Sequence, residues 1–108
     1  MAEQLCRILE IPDGGAREVK TGSKNPLSVI LIRRQERVYA YENSCPHALM
    51  TFNWEPDQFL FTPAGKLVCP QHGAGFIVET GECVLGPCLG AYLERFKIKL
   101  KDGAVWVA

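Results

Sequence analysis

The chain is poor in histidine, with two residues in 108, and it has no surplus of either charge, since twelve Lys and Arg balance twelve Asp and Glu. A neutral chain without a basic run offers no electrostatic footprint for nucleic acid or for an anionic membrane surface. Long apolar runs are also missing: no stretch approaches the ~18 residues that a spanning helix needs. Met1-Ala2-Glu3-Gln4 carries neither the basic nor the apolar part of an export signal. Together these absences predict a soluble, cytoplasmic protein with no nucleic-acid and no membrane partner. A disulfide scaffold is disfavoured as well, because five cysteines is an odd number. Internal repeats, low-complexity segments and interdomain linkers are absent, so residues 1–108 are expected to form one domain, burying ~65% of the unfolded chain's surface.

Both histidines fall inside two short cysteine motifs, Cys45-Pro46-His47 and Cys69-Pro70-Gln71-His72, separated by 21 residues. Each motif ends a stretch that reads as a strand. Two Cys and two His at C-x-H and C-x-x-H spacing mark a metal site, with Cys45, His47, Cys69 and His72 as the candidate ligands. Zinc fingers usually pair like with like, whereas here each loop carries one soft thiolate and one borderline imidazole. That arrangement suits a core with two different irons, in which each loop gives its cysteine to one iron and its histidine to the other. A structural zinc site remains the competing assignment.

The rest of the chain alternates short apolar runs with turn residues. Leu5–Leu9 and Ala16–Thr21 read as the first strands, with Pro12, Asp13, Gly14 and Gly15 between them. Leu27–Arg33 is an apolar run whose antiparallel partner is Val38–Tyr41, turning at Arg34, Gln35 and Glu36 and delivering the chain into Cys45. Phe59–Phe61 and Lys66–Cys69 form a second hairpin, and Phe76–Val78 and Glu82–Val84 a third, around Thr80-Gly81. Near the end Phe96, Ile98 and Leu100 alternate with Lys97, Lys99 and Lys101, one face buried and one wet, before Asp102-Gly103 turns into Val105–Val107. No helical period appears. The expected fold is all-β, of antiparallel sandwich type, with the motif loops forming a small subdomain at one end. Phe52, Leu49, Met50 and Trp54 are expected to pack in the core, and Cys6 to pack as a small hydrophobe on the first strand. Cys83 and Cys88 are near enough in sequence to suggest a disulfide, which a reducing compartment disfavours.

The two motifs, together with Gly73 after the second and the later Gly86-Pro87-Cys88, resemble those of Rieske iron–sulfur proteins, over roughly residues 4–107. The resemblance implies a Rieske-like sandwich with a cluster-binding subdomain, holding one [2Fe–2S] cluster per chain. Cys45 and Cys69 would then bind the inner iron, and His47 and His72 the outer one. Gly86 and Pro87 would belong to a loop covering the cluster. Replacing two thiolates by neutral imidazoles removes negative charge and raises the potential, into a family range of roughly −150 to +300 mV. High-potential members add a disulfide between the loops and hydroxyl donors to sulfur. At those positions this chain has Met50, Gln71, Ala74 and Phe76, which implies a potential near the bottom of the range. Leu49 stands where small Rieske ferredoxins commonly have glycine, and the gap between motifs is longer than usual, so the first loop is expected to follow an altered path.

A mononuclear iron centre of the oxygenase type needs two further histidines and a carboxylate. There is no third histidine, so the chain is expected to carry electrons rather than catalyse. The resemblance then implies a soluble one-electron carrier passing electrons from an NAD(P)H-dependent flavin reductase to a terminal oxygenase. A second reading is the small electron-transfer subunit of a nitrite-reductase-like complex. A third is a structural zinc-binding module.

Overall fold

Residues 29–32 are apolar at every position, and the architecture explains why. The computed structural model describes residues 3–22, 26–46, 51–53, 55, 57–71 and 73–108. Among these lie ten strands: β1 (Gln4–Arg7), β2 (Ala16–Thr21), β3 (Leu27–Arg34), β4 (Arg37–Glu42), β5 (Leu60–Phe61), β6 (Leu67–Val68), β7 (Gly75–Phe76), β8 (Cys83–Leu85), β9 (Ile98–Lys101) and β10 (Ala104–Val107). They build three antiparallel sheets, ordered β1-β10-β9, β2-β3-β4 and β5-β6-β7-β8. The expected all-β antiparallel fold is what is found. No described helix is long and apolar enough to cross a membrane.

β3 is the middle strand of the middle sheet, and both of its faces are covered. Because side chains alternate along a strand, Val29 and Leu31 point one way, into a core with Cys6, Ile11, Ala40 and Val105. Ile30 and Ile32 point the other way, into a core with Tyr41, Phe52, Leu67, Phe76 and the cysteines Cys45, Cys69 and Cys83. All four β3 side chains are fully buried. Burial of such a side chain contributes roughly 1.5–3 kcal/mol, so the run is apolar throughout because neither face meets water.

Turn chemistry sets the registers. β3 and β4 pair from Val29–Glu42 to Arg34–Arg37, so the turn is Gln35-Glu36, with Gln35 at φ 58°. Asp102 and Gly103, at φ 54° and 73°, make the two-residue turn of left-handed residues that matches strand twist, and Lys101 pairs with Ala104 across it.

Expected strand bounds shift in detail. The first strand stops at Arg7, and Ile8–Glu10 forms a 3₁₀ turn, with the Glu10 carboxylate accepting the Arg7 N–H at 2.7 Å. The segment 96–100 becomes strand only from Ile98. Its apolar face is only partly covered, with Phe96 and Ile98 half-buried and Leu100 exposed, on a strand at one edge of its sheet. Cys6 is buried as expected.

Arg34, at the end of β3, ties the middle sheet to the four-stranded one. Its guanidinium donates to the Gly65 carbonyl in the β5–β6 turn and faces the Glu79 carboxylate at 3.5 Å in the β7–β8 turn. Tyr41 does the same from β4: its buried hydroxyl donates to the Val78 carbonyl. The ring lies so close to Gly81 (φ 81°) that a Cβ there would sit 2.9 Å from Cε1.

Candidate metal centre

The second motif is the loop of the β6–β7 hairpin. After Val68 pairs with Gly75, the Cys69 N–H donates to the Ala74 carbonyl at 2.8 Å, and the Gly73 N–H returns to the Cys69 carbonyl at 3.0 Å. Gly73 adopts φ 73°, a left-handed conformation that costs glycine little. The hairpin thus turns the Cys69 side chain into the core, where it is fully buried, while Gln71 is exposed at the loop's outer side.

The first motif follows β4 directly, and a polar clamp closes the loop that contains it. Asn43 is buried. Its Oδ1 accepts the Phe52 N–H at 2.8 Å, and its Nδ2 donates to Asn53 Oδ1 at 2.8 Å and to Ser28 Oγ at 3.1 Å. The Ser28 hydroxyl donates to the Glu18 carboxylate, which also accepts from Asn53 Nδ2 at 3.3 Å. One side chain therefore grips both ends of the loop, two residues before Cys45 and at Phe52 beyond. A buried amide is retained in an apolar setting only when its donors and acceptors are met, and here Glu18 on β2, Ser28 on β3 and the far end of the loop at Phe52 and Asn53 supply the partners.

The two motifs share one core. Cys45 and Cys69 are both fully buried and belong to the same cluster as Phe52, Ala74, Phe76 and Cys83. Phe52, at the end of the first loop, packs edge-on against Phe76 on β7, with centroids 5.4 Å apart and an interplanar angle of 83°. Such a pair adds ~0.5–1.5 kcal/mol beyond its burial, and here it joins the chain segments that carry the two motifs. Two thiols from separate loops in one water-poor core fit the inner, sulfur-rich half of an iron–sulfur site. Ala74 and Phe76 are fully buried and bring no hydroxyl to it.

Segment 85–88 lies against the second motif. Gly86 (φ 87°) approaches Ala74 so closely that a Cβ would stand 2.8 Å from the Ala74 Cα. Leu85 in this segment and Leu89 just beyond it are 48% and 68% exposed. No cysteine is in a disulfide. Cys88 Sγ lies 3.0 Å from Cys83 Sγ. Partial burial, the hydrogen bond to Cys83, the Cys83 charge and then those of Cys45 and Cys69 push the Cys88 thiol up to about 12.

His47 and His72 lie outside the described residues, as do Leu49, Met50 and Trp54; Phe52 is in the core as expected. Among the described residues no group of three or more His, Cys, Asp or Glu could hold a metal ion. The clamp at Asn43 was not read from the sequence, though an Asn two residues before a motif cysteine, after a strand, is a position where side-chain-to-backbone bonding is common. The Phe52–Phe76 contact has no local signal, because it joins residues far apart in the chain.

Comparison with known proteins agrees with this construction. A family model described as the Rieske [2Fe-2S] domain matches residues 2–100. The 3-phenylpropionate/cinnamic acid dioxygenase ferredoxin subunit of Photorhabdus laumondii is 25% identical over 103 residues, covering 95% of this chain and 90% of the relative. Human apoptosis-inducing factor 3 is 28% identical over 103 residues, but the chain spans only 16% of that protein's length. Among solved structures, a complex of reduced oxygenase and oxidised ferredoxin in carbazole 1,9a-dioxygenase contains a chain that superposes with a TM-score of 0.76 at 25% identity, over 99% of this chain and 92% of that one. With two cysteine-bearing loops folded into one core beneath a glycine-proline segment, and a family match across nearly its whole length, this chain belongs to the Rieske [2Fe-2S] domain family.

Proposed function

We propose that residues 1–108 form a single Rieske domain that carries one electron at a time. In this reading the thiolates of Cys45 and Cys69 hold the inner iron of one [2Fe–2S] cluster per chain, and the neutral imidazoles of His47 and His72 hold the outer iron. When bound, the cluster supplies reversible one-electron reduction at a potential set by its ligands and surroundings. The observation that carries the reading is the burial of Cys45 and Cys69 in one core at the ends of two separate motif loops.

The chain's own residues do the remaining work. Phe52, Phe76 and Ala74 keep water from the sulfur side, being fully buried. Since neither the Ala74 methyl nor the Phe76 ring can donate a hydrogen bond to sulfur, the reduced state gains no stabilisation from these side chains. The midpoint is therefore expected near the low end of the range, about −150 mV. Asn43 holds the first loop closed, and Leu85 and Leu89 give an apolar surface beside the segment that lies on the second motif. A small apolar contact of this kind suits brief docking of redox partners, in encounters below ~1,200 Å².

The partners follow from the relatives. One is the ferredoxin subunit of a dioxygenase, and one solved neighbour is a ferredoxin–oxygenase complex. This chain is accordingly assigned the transfer of electrons from an NAD(P)H-dependent flavin reductase to a terminal oxygenase, in the cytoplasm. Anaerobic purification tests the assignment. The protein should be brown, with about two iron atoms and two acid-labile sulfides per chain, and should be reduced reversibly by one electron. A colourless protein with stoichiometric zinc would overturn it, and a midpoint clearly above zero at neutral pH would overturn the account of Ala74 and Phe76.

A further inference from the structure

We propose that Cys83 and Cys88 are a redox-sensitive pair, a modification site separate from the four candidate ligands, which closes to a disulfide and fastens segment 84–87 against the second motif. The sulfur atoms are 3.0 Å apart, so forming a bond of ~2.05 Å needs a movement of about 1 Å. Their backbone is already held in place. The Cys83 N–H donates to the Ala91 carbonyl at 2.8 Å, the Gly90 N–H to the Cys83 carbonyl at 3.1 Å, and the Ala91 N–H to the Cys88 carbonyl at 2.9 Å. The thiols form a short relay in which Cys88 donates to Cys83 and Cys83 donates to the Leu85 carbonyl at 3.2 Å.

Exposure divides the roles. Cys83 is 1% exposed and Cys88 is half-buried, so an incoming reagent meets Cys88 first. The oxidant is a low-molecular-weight disulfide. The Cys88 thiolate attacks one sulfur of that disulfide and expels a thiolate, leaving a mixed disulfide on Cys88. Cys83 then attacks the Cys88 sulfur and expels the second thiolate. Two protein thiols are oxidised and one disulfide is reduced to two small thiols, with protons conserved.

The location gives the bond its consequence. Residues 84–87 lie between the two cysteines, and within them Gly86 packs on the Ala74 backbone while Leu85 pairs with Gly75. A covalent link across this segment removes its freedom to lift from the motif loop.

The test uses the holoprotein. After long incubation with oxidised glutathione, acid quench and alkylation, two of the five cysteines should lose their label. The peptide carrying Cys83 and Cys88 should be two hydrogens lighter, with the visible absorption retained and the change reversed by dithiothreitol. Amide exchange across 84–89 should slow in the oxidised form. Cys83→Ser should instead keep a glutathione adduct on Cys88, and Cys88→Ser should take up none. The site is refuted if Cys83 and Cys88 both remain alkylatable, if the new link involves another cysteine, or if Cys88→Ser carries the adduct on Cys83. Unchanged amide exchange in the cross-linked protein would refute the fastening role.

Discussion

The two faces of β3 support two different kinds of structure. On the side of Val29 and Leu31 the core is largely aliphatic, and it packs against the four-residue strands β1, β9 and β10, of which β10 and β9 pair in continuous register while β1 shifts register between Gln4 and Cys6. On the side of Ile30 and Ile32 the core contains Tyr41, Phe52, Phe76 and three cysteines, and the strands that cover it are only two or three residues long. Ladder hydrogen bonds cannot hold so short a sheet by themselves. It is held instead by side chains reaching across from the middle sheet, namely Arg34 to Gly65 and Tyr41 to Val78. One face is thus a regular scaffold, and the other trades regularity for two loops that bring thiols together.

The sharpest way to break that comparison is to replace cysteines on either side. Cys45→Ala or Cys69→Ala should abolish iron and sulfide content, whereas Cys6→Ala, in the opposite core, should keep both at the wild-type level; iron and acid-labile sulfide analysis reads the difference. Loss of the cluster from Cys6→Ala would show that the two cores are not functionally separate.

Cavities come next in size. Leu31→Ala and Ile32→Ala should each destabilise by ~2–5 kcal/mol, since both side chains are fully buried. Only Ile32→Ala should also speed cluster loss under chelator, because only that face contacts the motif core. Equal chelation rates at matched stability would contradict the division.

Removing the clamp is a smaller change. Asn43→Ala strips the partner from the Phe52 N–H, a cost of ~1–3 kcal/mol for the buried donor, and should broaden the electron paramagnetic resonance signal as the first loop loosens. A spectrum as sharp as the wild type would reduce Asn43 to a stability residue.

The smallest effect is alkaline. Burial raises the Cys6 thiol, against the opposing Arg17 charge, and likewise raises the Tyr41 hydroxyl, against Arg95. A group whose pKa is raised in the fold binds protons more tightly folded than unfolded. Its contribution is complete below the ordinary value and is lost as pH rises from there through the folded value. Denaturation midpoints should therefore decline above pH 9.0 for Cys6 and above 10.0 for Tyr41. Cys6→Ala should remove the first part of the decline and Tyr41→Phe the second. An unchanged slope in either variant would refute its assignment.

The strands were legible where pattern and turn chemistry agree, as at Ala16–Thr21 and at the Asp102-Gly103 turn. They were less so where an edge leaves the apolar face uncovered, as at Leu100, or where a capping carboxylate bends the chain, as at Glu10. The apolar run of β3 announced a buried strand but not that its two faces enter different cores, since periodicity reports burial and says nothing of what lies opposite.

By its own sequence the chain determined the donor types and their spacing, the balance of charge, and the strand and turn signals of an all-β fold, because these depend on covalent order and local geometry. Only the tertiary structure decided that Cys45 and Cys69 share one core, that Asn43 clamps the loop between Cys45 and Phe52, that Phe52 meets Phe76, and that Cys83 and Cys88 stand sulfur to sulfur. Those contacts depend on how three sheets stack. Stacking is set by the burial of side chains from distant parts of the chain, which no local window of sequence contains.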